Sequence, residues 1–79
     1  MSHLPRNGQY ELFVYLGKMH CFDDPDIDSI SVSDDMINWL NQQDKRLCRP
    51  YKAVPTQTNP CCYYLKPEMY LIWKLKWVC

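Results

Sequence analysis

Apolar and polar positions alternate along much of this chain, and the longest alternation closes it. From Glu68 to Cys79, a period of two puts Met69, Leu71, Trp73, Leu75, Trp77 and Cys79 on one side. Tyr70, Ile72, Lys74, Lys76 and Val78 fall on the other. The pattern predicts a strand with one apolar and one half-wet face, more than ~30 Å long at ~3.3 Å per residue. Two tryptophans on one face, each able to bury about 150–250 Å², predict a place in the middle of a small antiparallel sheet.

A second alternation begins at Tyr10, with Leu12, Val14 and Leu16 on one face and Phe13 and Tyr15 on the other. Gly17-Lys18 offers a two-residue type II′ turn. That turn predicts a hairpin pairing Leu16 with Met19, Tyr15 with His20, Val14 with Cys21 and Phe13 with Phe22.

The spacing changes at Ser33. Met36, Ile37, Leu40 and Trp39 lie at helical intervals, Ser33 is an N-cap residue, and Asp34 and Asp35 suit the first turn. A helix is predicted over about Asp34 to Asp44, with Lys45 and Arg46 at its C-terminal end. Arg49 to Val54, with Pro50 and Pro55 near its two ends, predicts an edge strand, because proline is tolerated there. Cys61 to Lys66 predicts another strand, and Lys66-Pro67-Glu68 a turn. The expected fold is α+β, a small antiparallel sheet in the order β-β-α-β-β-β with one helix on one face. Residues 1–79 form one expected domain, of which 1–9 is a loose lead-in.

Length limits the core. A chain of 79 residues buries only ~60% of the surface its unfolded form exposes. No apolar run approaches the ~20 residues of a membrane helix, and Met1 to Gly8 lacks the apolar core of a signal peptide. The expected location is therefore cytoplasmic, a host cytosol if the source is viral, with no membrane partner.

The five cysteines, Cys21, Cys48, Cys61, Cys62 and Cys79, include no Cys-x-x-Cys and are odd in number. They are expected to be buried free thiols, with no metal and no cofactor. Asp24, Asp26, Asp28 and Asp35 fall at positions 1, 3, 5 and 12 of an EF-hand loop. Position 6, which needs glycine, is Ser29, and Pro25 sits inside the loop, so a solvated acidic loop is expected instead.

Net charge is zero, yet residues 1–44 carry eight acids and two bases while 45–79 carry seven bases and one acid. The halves are therefore −6 and +6, an asymmetry that points to partners. Asp23, Asp24, Asp26, Asp28, Asp34 and Asp35 are the candidate acidic patch for a protein partner. Tyr63, Tyr64, Tyr70, Lys74 and Lys76 are the candidate surface for the alternative, single-stranded nucleic acid on a basic, aromatic sheet face. No phosphate-binding loop, Gly-x-Ser-x-Gly or His-Glu-x-x-His is present, so no enzymatic activity is expected.

By elimination, the expected function is that of a small protein–protein interaction module. Its general character fits a viral or phage accessory protein that inhibits a host factor by occlusion. A homodimer is also expected, because Phe13, Tyr15, Phe22, Tyr70, Ile72 and Val78 would leave an apolar sheet face uncovered by a single helix.

Overall fold

The alternation from Tyr10 folds as a hairpin, and the sheet is built outward from it. The computed structural model describes residues 8–25, 27, 29–56 and 58–78. The elements are β1 (Tyr10–Tyr15), β2 (Lys18–Cys21), β3 (Ile30–Ser31), α1 (Asp34–Asn41), β4 (Cys48–Tyr51), β5 (Cys62–Leu65) and α2 (Pro67–Trp77). All strand pairs are antiparallel, in the spatial order β3-β2-β1-β5-β4. The α+β class with an antiparallel sheet is as the sequence predicts, and Pro50 does lie on an edge strand.

The hairpin register differs from expectation. Tyr15 pairs with Lys18, Val14 with Met19, Phe13 with His20 and Leu12 with Cys21. The loop is therefore Leu16-Gly17, and both residues have the positive φ (52° and 74°) that a type I′ turn requires. This turn sets fully buried Met19 between Val14 and Ile30, instead of opposite the exposed tip residue Leu16. The slip changes each partner by two residues, so every side chain keeps its face.

Leucine in the left-handed region carries a steric cost of about 1–2 kcal/mol. Leu16→Asn should therefore stabilise the fold by about 1 kcal/mol and raise Tm by about 4–8 °C in calorimetry. Leu16 is 83% exposed, so the substitution removes no core contact.

α1 begins where the sequence predicts. The Ser33 hydroxyl accepts a hydrogen bond from Met36 N–H at 3.2 Å, and Asp34 and Asp35 occupy the first turn. The helix stops at Asn41, short of the expected Asp44. Its end is tied instead by side chains: Gln43 Nε2 donates to Trp39 O at 2.7 Å, and Lys45 Nζ to Asn41 O at 3.0 Å.

The main correction concerns the end of the chain. The predicted final strand is α2, so the described residues hold two helices, in the order β-β-β-α-β-β-α. Pro67 opens the helix, Glu68 lies in its first turn, and Lys74 and Lys76 lie in its last, each favourable to the helix dipole. Met69, Tyr70 and Trp73 are buried at helical spacing, with Trp77 half-buried one turn on.

Both helices pack on one face of the sheet, α1 beside β4 and α2 beside β5. Between them and the sheet lie Leu12, Met19, Met36, Leu40, Cys48, Tyr63, Leu65 and Trp73, all essentially without exposure. Tyr10 stacks on Tyr70 with ring centres 4.0 Å apart, and Trp39 meets Trp77 edge-on at 6.3 Å. The expected lead-in falls, for residues 1–7, outside the described residues.

Candidate functional site

Of the acidic residues, Asp23 and Asp24 make bonds within the chain. Asp23 accepts a hydrogen bond from Glu11 N–H at 2.9 Å, which closes the open end of the hairpin. Asp24 faces inward, accepting from Tyr70 OH at 2.7 Å and from Lys74 Nζ at 3.1 Å. Its side chain is only 15% exposed. Asp34 and Asp35 are exposed at the start of α1, and Asp26 and Asp28 lie outside the described residues. Of the expected patch, Asp23 and Asp24 thus serve to fasten the chain to itself.

The Asp24 cluster ties the loop after β2 to α2. Burial, then hydrogen bonding to Asp24 and Cys21, pushes the Tyr70 hydroxyl far above the ordinary phenol range, so it stays a donor. Tyr70 is only 3% exposed, so it lies in the core and not on the open face where the self-association and nucleic-acid sets expect it. Tyr63 is buried likewise: it has no exposure, its hydroxyl donates to Asn41 Oδ1 at 3.0 Å, and burial pushes it up to about 12.

The sheet face away from the helices carries a different aromatic set. His20 and Phe13 lie side by side across β2 and β1 with ring centres 5.2 Å apart, and Tyr15 meets His20 edge-on at 6.4 Å. Across β4 and β5, Tyr51 meets Tyr64 edge-on at 6.4 Å. Phe22 follows β2 and is exposed, and its N–H extends the ladder to Glu11 O at 3.0 Å. Lys18 and Arg49 stand on strands on either side of these rings, with Glu11 between. Phe13, Tyr15, Phe22 and Tyr64 from the expected sets belong here. Tyr51, Lys18 and Arg49 lie outside the expected sets, and His20 enters only as the predicted hairpin partner of Tyr15; strand alternation from Phe13 and Tyr64 places all four on this face.

The second surface is the outward side of α2. Leu71, Ile72, Leu75 and Val78 are 59%, 50%, 69% and 36% exposed. Ile72 and Val78 were expected at a contact face, whereas Leu71 and Leu75 were expected in the core. Their spacing i, i+1, i+4, i+7 is the signal of a single helical face, visible once the segment is read at 3.6 residues per turn. Beside the stripe, Lys76 lies over the Trp77 ring at 5.3 Å from its centre. An open groove of about 430 Å³ runs between α1 and α2, lined by Asp35, Asn38, Trp39, Gln42, Lys76 and Trp77.

The thiols are quiet. Cys21, Cys48 and Cys62 are buried and Cys61 is half-buried, all four free. Burial raises Cys48 and Cys62 from 9.0 to about 11 and raises Cys21 as well. The folded state therefore disfavours their thiolates. Stability from this source is complete below pH 9 and declines as pH rises from 9.0 to about 11, the range in which the unfolded thiols ionise and the folded ones do not. Urea midpoints should fall over that interval. In native protein at pH 8, Cys61 should react with a disulfide reagent well before Cys21, Cys48 or Cys62, as peptide mapping of the labelled sites would show.

Among the described residues, no cluster of three or more His, Cys, Asp or Glu side chains is arranged to hold a metal, and no helix is long and apolar enough to cross a membrane. Comparison with protein-family models, with curated proteins and with solved structures finds no match.

Proposed function

We propose that this chain is a non-catalytic binding protein whose contact face is the outward side of α2. One observation carries the proposal: four aliphatic side chains, Leu71, Ile72, Leu75 and Val78, stand exposed along one side of a helix whose opposite side is in the core. A helix apolar all round is ordinarily covered all round, and contiguous apolar patches on small proteins mark contact sites. Anchors at this spacing suit a helix laid against an apolar surface. The mode of action is occlusion of whatever surface the helix covers, the same mode expected of an accessory protein that inhibits a host factor.

A photo-crosslinking residue at position 75 tests this, with one at exposed Thr56 as control. Discrete, saturable adducts at 75 and none at 56 are expected. Equal, diffuse labelling from both positions would sink the proposal.

One observation favours a second reading. The rings of Phe13, Tyr15, His20, Tyr51 and Tyr64, flanked by Lys18 and Arg49, offer stacking and phosphate contacts to single-stranded nucleic acid. On this reading, anisotropy with a labelled mixed-sequence oligonucleotide shows affinity that falls steeply with salt and weakens in Tyr51→Ala. Absence of binding at low salt removes it.

A further inference from the structure

We infer that the occupant of the α2 face is a second copy of this chain, its α2 running antiparallel; this rests on the proposal that α2 is the contact face. The α2 face is complementary to itself. At about 100° per residue, Leu71, Leu75 and Val78 form the centre of the stripe, and Ile72 marks one flank. Glu68, one turn before Ile72, and Lys76, one turn after it, lie on that same flank.

An isologous contact uses the same patch twice, and the two-fold axis that relates antiparallel helices keeps each flank on its own side while reversing its direction. Glu68 of one copy therefore comes within reach of Lys76 of the other, and the pair forms twice. Leu71 of each copy meets Leu75 of the other across the axis, with the two Ile72 side chains closing the flank. A parallel two-fold would carry the charged flank to opposite sides of the contact, so neither Glu68–Lys76 pair could form. A lipid surface would gain from Lys76 but would also have to take in the Glu68 carboxylate on the same flank.

Two stripes of four aliphatic side chains bury less than the ~800 Å² per partner of a standard interface. The dimer is accordingly weak, with a dissociation constant on the order of 10–100 µM.

Sedimentation equilibrium from about 10 to 500 µM brackets that constant. The wild type should move from the 9.5 kDa chain mass towards twice that value. Ile72→Asp, at a half-exposed site outside the core, should stay folded by circular dichroism and remain monomeric throughout. Glu68→Lys should weaken dimerisation about fivefold or more, and the Glu68→Lys/Lys76→Glu double variant should restore it to within about twofold. A wild type monomeric at every concentration overturns the inference. Crosslinks from position 75 to other proteins would then still support α2 as a contact face, and crosslinks to nothing would remove both. A dimer indifferent to Ile72→Asp, or a double variant no better than Glu68→Lys, overturns it as well. So does a monomer that co-sediments with phosphatidylcholine–phosphatidylserine vesicles and loses that property in Ile72→Asp.

Discussion

Trp73→Ala should leave the chain without a cooperative unfolding transition at 25 °C. Trp73 has no exposure and stacks on Tyr70 at 5.7 Å between ring centres, within the cluster that joins α2 to the sheet. Truncating a buried tryptophan to alanine costs about 3–5 kcal/mol through lost transfer energy and the cavity left behind. At ~0.05–0.15 kcal/mol per residue, and near the lower end for so small a core, a chain of this length has about 4–6 kcal/mol in hand. Most of it would be gone. The indole N–H of Trp73 has no acceptor among the described residues, so Trp73→Phe orphans no partner and should cost only about 1 kcal/mol. Urea titrations followed by far-ultraviolet circular dichroism separate the two. A Trp73→Ala protein that melts cooperatively within 1 kcal/mol or so of wild type would show that the α2 contact contributes little.

The fate of this same segment shows what local pattern can and cannot convey. Nine of the twelve residues from Glu68 to Cys79 are apolar, so no period separates an inner from an outer side. The alternation Lys74-Leu75-Lys76-Trp77 then imitates a strand. In the helix those lysines part company: Lys74 turns in to Asp24, and Lys76 lies over Trp77. The helical signs were present in Pro67, Glu68 and a length beyond that of an ordinary strand. Where a turn or cap is local, the sequence is the better guide. Ser33 caps α1 as predicted, and the hairpin keeps both its faces even though its turn comes one residue early.

Candidate site residues divide along the same line. Phe13 and Tyr15 follow from strand alternation alone. Leu71 and Leu75 were hidden by the mistaken period. Asp24 was hidden for a different reason, since its partners Tyr70 and Lys74 stand 46 and 50 positions away. A run of aspartates before a helix reads as solvated when nothing nearby in sequence says otherwise.

Asp24→Ala should therefore destabilise the fold by about 2–3 kcal/mol, far more than loss of a surface carboxylate. The acceptor holds the loop after β2 against α2. Without it the Tyr70 hydroxyl, in a residue only 3% exposed, loses the oxygen it donates to at 2.7 Å. Tyr70→Phe should cost about 1.5–3 kcal/mol, as expected for a hydrogen bond to a charged group whose carboxylate stays largely buried. The Lys74 pair is the weaker partner. Its ammonium side chain is 30% exposed and longer at 3.1 Å, so Lys74→Met should cost less than about 1 kcal/mol and less again in high salt. A double-mutant cycle makes the comparison direct. Coupling between Asp24→Ala and Tyr70→Phe should reach about 1–2 kcal/mol, with the Asp24–Lys74 coupling smaller. The alkaline side offers an independent check. Because Tyr70 is held protonated in the fold, its contribution is complete below its ordinary value of 10.0 and is lost as pH rises beyond it, so Tyr70→Phe should flatten the decline of stability above that pH. An Asp24→Ala protein as stable as wild type, or additive with Tyr70→Phe, would mean that Asp24 is a surface acid after all and free to meet a partner.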